Sequence, residues 1–372
     1  MSLGSAIGTA WDLAFRMFPH ATRPGLRRIG DPGPQDPVLL TGNYTETVRR
    51  LRRVLAGRNV WLLLANSDGI NVWCAATGGH LTDHDVIGVL RSSRIGDEVE
   101  HRRLVLPQLA ATGIEPRRIE AATGWKGRWG PARLEDLPDY LDRGCRVRKS
   151  QRFMRFPLDD RLEMASIWAL PLGALVLVGL GLAIGWAFAG VVTATLILAV
   201  VTLFLLVPRI PVKGRWRWAT FAAAAAAGTA VGTLGAWLVG AWGGLEVGIV
   251  AGTCTVTMGI LSVDFAGTTP WYASTINSAR TPVSLELVEE RCTGAAQCVL
   301  VCPRNVLKMD GRRRKVTIAR PDDCVRCGAC IVQCPDDALR FRFDDGRVVP
   351  PAQVRRTRLN LMGRRTVEVP RD

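Results

Sequence analysis

Seven of the ten cysteines in this 372-residue chain fall into two short runs, CTGAAQCVLVCP from Cys292 and CVRCGACIVQCP from Cys324. Aligned on the closing Cys-Pro, the runs form an internal repeat. The second has all four cysteines of a C-x2-C-x2-C-x3-C-P pattern, and the first has Ala295 where its second cysteine would stand. Thiolates at this spacing suit an iron–sulfur cube: three close cysteines wrap one face and the fourth reaches across to another cluster. Structural zinc also uses Cys-x2-Cys pairs and is the alternative. Clusters of this kind move single electrons and do no group chemistry themselves, so an acceptor for the electron is implied.

An eighth cysteine, Cys74, lies in GINVWCAATGGHLTDHDV, residues 69–86. Its β-branched neighbours read as a strand, INVWCA, with Cys74 near the C-terminal end, where ligand sites of open parallel sheets collect. The next helix is expected to start at Thr82, with Asp85 at capping-box spacing. Gly78 and Gly79 would then form the connection and let a planar ligand approach the backbone. A cysteine near a helix N-terminus has its thiolate favoured and becomes a better metal ligand. The competing reading is a small buried core residue, and Cys145 and Cys254 are read that way.

The elements that must position these residues follow from periodicity. NYTETVRRLRRVLAG has the spacing of an amphipathic helix closed by Gly57, and NVWLLLAN reads as a short apolar strand. TDHDVIGVLRSS and RRIEAAT read as helices, while RRLVLPQL, KGRWGPA and LEDLPDYLDRG complete the pattern. Strands alternating with helices predict an open, mostly parallel α/β sheet of Rossmann-like type over residues 37–164. Residues 1–36, ending in GDPGPQDP, read as an irregular lead-in.

Residues 165–208 contain no Asp, Glu, Lys, Arg or His, and neither do 218–245 or 247–263. A bilayer crossing needs roughly 20 apolar residues, which predicts a four-helix transmembrane domain over 165–264. The helices are placed at about 166–185, 188–207, 218–239 and 244–263; buried helices of a large soluble core are the alternative. Arg152, Arg155 and Arg161 precede the first, Arg209, Lys213, Arg215 and Arg217 fill the central loop, and Arg280 and Arg291 follow the last. The positive-inside rule then predicts a multi-pass inner (cytoplasmic) membrane protein with both soluble domains in the cytoplasm. That compartment disfavours disulfides. The N-terminus lacks the basic and apolar regions of a signal peptide, so export of the first 160 residues is not expected.

Gly228 and Gly232, and Gly244, Gly248 and Gly252, recur at the four-residue spacing that lets helices pack closely. Glu246 and Asp264 flank the fourth helix, so no ion pathway is expected. The formal charge of +15 and pI near 10.1 are assigned to the lipid bilayer and its anionic headgroups. Nucleic acid is excluded as a partner because no base-stacking motif accompanies the charge.

Residues 283–343 resemble the bacterial two-cluster ferredoxins, an α+β fold, followed by a basic tail over 344–372. The resemblance implies that Cys302, Cys324, Cys327 and Cys330 hold a [4Fe-4S] cluster. Cys292, Cys298 and Cys334 are left to a second cluster, either [3Fe-4S] or [4Fe-4S] with a non-cysteine ligand, unless that cluster is lost.

NYTETVRRLRRVLAGRNVWLLLANSDGINVWCAA, HRRLVLPQL, GWKGRWGPARLEDLPDYL and MRFPLDDRLEM resemble the membrane corrinoid protein family of microbial mercury methylation. More distantly they resemble the corrinoid iron–sulfur protein of the acetyl-CoA pathway. The resemblance implies that Asn71, Val72, Trp73, Cys74, Ala75 and Ala76 form a cap helix under a corrinoid, with Cys74 as the lower ligand to cobalt. A helix there conflicts with the strand reading of the same residues. It also implies a methyl donor, a protein or a methyl-folate, and an electron donor, which in the family is a separate ferredoxin. Fusion of the two parts raises the donor's effective concentration to millimolar order. This chain departs from the family after Ala76, where Gly-Lys-Gly is replaced by Thr77, Gly78 and Gly79, followed by His80, read as a surface residue. The leading expectation is corrinoid methyl transfer with Hg(II) as one candidate acceptor. The alternative is a membrane iron–sulfur electron-transfer protein without corrinoid, and a non-enzymatic scaffold leaves seven cluster cysteines unexplained.

Overall fold

The computed structural model describes residues 19–212, 216–241, 243–263, 265, 270–271, 283–360 and 363–366. Lys213, Arg215, Asp264 and Arg280, used above, lie outside the described residues, as does most of residues 1–36 up to position 18. The chain divides into two compact units, one made chiefly of residues 156–267 and the other of residues 18–155 with 277–372.

In the second unit the α/β part runs β1 (Gly25–Ile29), β2 (Val38–Gly42), α1 (Thr45–Val54), β3 (Val60–Ala65), α2 (Val72–Gly78) and α3 (Asp83–Ser92). It continues through α4 (Ile95–Glu98), β4 (Arg103–Leu106), α5 (Pro116–Thr123), β5 (Lys126–Trp129) and α6 (Leu137–Asp142). The sheet order is β1-β3-β2-β4-β5. β3, β2, β4 and β5 are parallel and β1 is antiparallel to β3. VLLTG and VWLLLA are buried at every position, as strands covered on both faces must be. Alternate residues feed two cores: Leu39, Leu62 and Leu64 pack with Leu51 and Tyr140, while Leu40, Trp61 and Leu63 pack with Val86, Leu90 and Ile119.

The mostly parallel α/β sheet matches expectation, with two corrections. Gly25–Ile29, placed in the irregular lead-in, is an edge strand of the sheet. INVWCA is not a strand: residues 72–78 form the helix α2. β3 already has β1 on one edge and β2 on the other, so no edge beside it is open to another strand. Asn71 caps the helix instead, its Oδ1 accepting the Cys74 backbone N–H at 3.0 Å. Gly78 is the last residue of this helix rather than part of a connection, and Gly79, at φ 83°, ends it. The expected capping box is present at α3, with the Thr82 N–H donating to Asp85 Oδ2 at 2.8 Å.

The other unit holds four helices long and apolar enough to cross a membrane: α7 (Leu158–Ala183), α8 (Trp186–Leu206), α9 (Arg217–Leu238) and α10 (Gly244–Val263). α7 begins earlier than expected, inside the range assigned to the α/β domain. Leu175, Leu182, Leu238 and Leu245 are about 70% exposed, the outward apolar face a helix presents to lipid. Gly228 and Gly232 lie at close helix contacts, since an added Cβ would stand 3.1 Å from Cys254 Sγ and 2.6 Å from Val250 Cγ1. Gly244, Gly248 and Gly252 do not: among the described residues a Cβ there meets nothing within 4 Å. Glu246 lies in the first turn of α10.

In the second unit, the cysteine-bearing part runs β6 (Val283–Leu287), α11 (Gln297–Val301), β7 (Leu307–Asp310), β8 (Lys315–Ile318), α12 (Ala329–Val332) and β9 (Leu339–Phe343). β6 pairs with β9 and β7 with β8, both antiparallel, so the first strand meets the last and the middle two meet each other. The two halves of the repeat are thereby interlocked. The expected basic tail carries regular structure: β10 (Val348–Val349), α13 (Pro351–Arg356) and a hairpin of β11 (Thr357–Asn360) and β12 (Gly363–Thr366).

Candidate cofactor sites

The repeat is conformational as well as sequential. Left-handed residues recur 32 positions apart: Gly294 and Arg326 (φ 79° and 54°), Ala296 and Gly328 (58° and 76°), Asn305 and Asp337 (52° and 50°). These turns fold each run so that backbone N–H groups face sulfur. Val306 N–H donates to Cys302 Sγ and Ala338 N–H to Cys334 Sγ, both at 3.3 Å.

The thiols fall into two electrostatic groups. Cys324, Cys327 and Cys330 are each pushed toward the neutral thiol, first by burial and then by repulsion that includes Cys302. Burial, then Cys334 and, more weakly, Cys292, push the Cys298 thiol up to about 12. Thiolates gathered this way without water need a multiply charged cationic partner. Cys302, Cys324, Cys327 and Cys330 line one small pocket with Leu285 and Phe341. Among the described residues no three His, Cys, Asp or Glu side chains converge on a point as ligands of one ion would. The Cys-x2-Cys-x2-Cys-x3-Cys-Pro spacing of the second run is that of iron–sulfur ligands.

Arg304, absent from the sequence expectations, lines the same pocket. It pairs with Asp323 at 3.4 Å, and its burial pulls the guanidinium below its usual range. The signal that could have found it is its place after Cys302-Pro303, where the second repeat has Asp336.

Cys74 lies on α2, half-buried, between Asn71, Trp73 and the buried Ala75, Ala76 and Gly78. An Asn43–Ser67 pair at the carboxyl ends of β2 and β3 sets where this helix starts. Asn43 Oδ1 accepts the N–H groups of Ser67 and Gly69 at 2.9 and 3.1 Å, and Ser67 Oγ donates to the Ile70 carbonyl at 2.9 Å. Both residues are almost fully buried, and neither was singled out in the sequence. His80 is partly exposed and bonds Asp68 through Nδ1 at 2.8 Å, in line with its reading as a surface residue. Residues 108–113 press on the far side: a Cβ added at Gly113 would stand 2.8 Å from the Ala76 carbonyl oxygen. On this segment Gln108 Oε1 and Thr112 Oγ1 are buried with no hydrogen-bond partner among the described residues. A ligand rich in amides, as a corrinoid is, could satisfy such atoms.

The two cysteine-bearing regions meet. Val301, Ala329 and Cys327 pack into the apolar cluster that contains Val72, Ala75 and Ala76. Gln333, between Cys330 and Cys334, donates through Nε2 to the carbonyls of Ala111 and Ile114 at 2.9 and 2.7 Å. Arg355 Nη2 bonds Asp337 at 2.6 Å, and its Nε lies 3.6 Å from Glu115.

Residues 16–141 match the family described as CO dehydrogenase/acetyl-CoA synthase delta subunit, and residues 291–338 match the 4Fe-4S dicluster domain. The first segment is 36% identical over 127 residues to an acetyl-CoA decarbonylase/synthase complex subunit gamma of Archaeoglobus fulgidus. That match covers 34% of this chain and 27% of the relative. The corresponding subunit of Methanopyrus kandleri is 37% identical over the same length, with the same coverage. This chain thus spans little more than a quarter of those relatives. An uncharacterized ferredoxin of Methanocaldococcus jannaschii is 47% identical over 51 residues, which are 13% of this chain and 79% of the ferredoxin. With its interlocked repeat and this coverage of the ferredoxin, the chain belongs, through its C-terminal segment, to the 4Fe-4S dicluster ferredoxins.

Proposed function

We propose that this chain is a membrane-anchored, corrinoid-dependent methyl-transfer protein that carries its own electron donor. The observation that supports this most is that the cluster domain packs on the apolar core to which α2 belongs, with Cys327 against the same cluster as the neighbours of Cys74. Cys74 would hold cobalt, with Asn71, Val72, Trp73, Ala75, Ala76, Gly78 and Gly79 beneath the macrocycle. Bound there, a corrinoid supplies a cobalt that accepts and releases a methyl group once reduced. The chain's own part is to present one thiol from a capped helix, exclude water with Ala75 and Ala76, and deliver electrons from a docked domain. The complete cluster on Cys302, Cys324, Cys327 and Cys330 is the proximal donor, because Cys327 is the ligand that touches the shared core. The methyl donor is a methyl-folate or a methyl-carrying protein, and Hg(II) is the acceptor to be assayed first.

The test is cobalt and iron content, with a visible spectrum, on detergent-purified protein made with cobalamin available. Near-stoichiometric cobalt that disappears in Cys74→Ala while iron stays supports the reading. Iron without cobalt in the unaltered chain overturns it and leaves a membrane ferredoxin, the reading favoured by Thr77–His80 in place of Gly-Lys-Gly.

The four apolar helices are proposed to cross the inner membrane with both soluble domains on the cytoplasmic side. Protease added to inverted vesicles should remove the cluster domain; full protection there would reverse the orientation.

A further inference from the structure

The incomplete half of the repeat keeps the shape of a cluster site. Gly294, Ala296 and Asn305 hold the left-handed conformations of Arg326, Gly328 and Asp337. An alanine in that region is held only by surrounding structure, so the loop keeps the backbone of the complete half although residue 295 is alanine. Cys298 remains buried beside Cys334. Only the thiolate that Cys327 supplies in the other half is missing, and its place is taken by the methyl group of an exposed Ala295.

That place opens onto an open cleft of about 620 Å³ between the cluster domain and α5–β5. Arg117, Arg128 and Arg152 line the cleft against a single carboxylate, Glu120. Arg152 Nε is buried with no hydrogen-bond partner among the described residues. The matching position in the complete half, Cys327, packs into the apolar core. Position 327 therefore faces apolar neighbours, and position 295 faces a cationic cleft.

We propose that the cluster on Cys292, Cys298 and Cys334 has one iron without a protein thiolate, at the place of Ala295. This iron binds a small anion bearing a thiolate or carboxylate, admitted through the cleft and held by Arg117, Arg128 and Arg152. The open position would make the second cluster a ligand-binding centre as well as an electron carrier. It depends on the dicluster assignment and not on the corrinoid.

The test uses the full chain in detergent, without cobalamin, reconstituted anaerobically with iron and sulfide and reduced with dithionite. Mercaptoacetate, which can give sulfur to iron and a carboxylate to arginine, is compared with neutral mercaptoethanol by electron paramagnetic resonance. Both should perturb one cluster signal, with mercaptoacetate half-saturating at about tenfold lower concentration, the worth of one modest charge-assisted hydrogen bond. Ala295→Cys should keep the iron content and abolish both responses. Arg117→Gln with Arg128→Gln should remove most of the tenfold preference and leave the mercaptoethanol response. An unaltered chain that ignores mercaptoacetate, or an Ala295→Cys variant that still responds, overturns the proposal. So does a Cys145→Ala variant that alone gains the response, since Cys145 lines the same cleft and would then be the missing ligand. A cobalt-free protein that responds leaves the inference standing even if the corrinoid reading fails.

Discussion

Arg304 and Asp336 occupy the same place in the two halves of the cluster repeat, each directly after a Cys-Pro, and carry opposite charge. Arg304 is packed against the pocket of Cys302, where water screens it little. A cation there favours the reduced, more negative cluster. Asp336 is instead exposed and bonded to Thr293 Oγ1 at 2.5 Å. Arg304→Gln is expected to lower the midpoint potential of the complete cluster by on the order of 50 mV, near a tenfold change for a one-electron couple. A spectroscopic redox titration checks it, and an unchanged potential would assign Arg304 to packing with Asp323 alone. The cluster cysteines were legible in the sequence because all the information lies within twelve residues of each run. Arg304 was equally visible, but its meaning depends on burial, which spacing does not encode.

At the scale of elements, α2 is where local and tertiary signals diverge. Ile70, Val72 and Trp73 favour a strand, whereas Ala75, Ala76 and the Asn71 cap favour a helix. The sheet decides, since β3 is flanked on both edges before the chain reaches Asn71. Only the family resemblance pointed to the helix; periodicity over six residues could not. Asn71→Ala removes the hydrogen bond to the Cys74 N–H and should cost about 1 kcal/mol of helix stability. The α2 amides should then exchange with deuterium roughly fivefold faster while β2 and β3 are unaffected. Uniform acceleration across the domain would mean that α2 opens only with the whole sheet. The four apolar helices were legible for the opposite reason, since length and lack of charge suffice. Which glycines face a neighbour was not, because Gly228 and Gly252 look alike in sequence and differ only in what lies opposite.

For the whole molecule, the proposed electron delivery depends on the junction between the α/β and cluster parts, and none of it was readable. Gln333 and Ala111 are 222 positions apart, and no local pattern marks a glutamine between two cysteines as a docking residue. Gln333→Leu strands two buried carbonyls, each worth roughly 1–3 kcal/mol. It should slow intramolecular reduction of bound corrinoid at least about tenfold, while the cluster resonance signals stay intact. Stopped-flow reduction of the cobalamin-loaded protein measures this. An unchanged rate would show that Arg355 and the apolar contact hold the domains alone.

Gln333 also stands between Cys330 and Cys334. Its amide reaches the Ala111 and Ile114 carbonyls from the same five-residue segment that carries both cysteines. One short stretch of chain therefore serves as thiol support and as latch, and a disturbance of either cysteine passes to the junction with no intervening element.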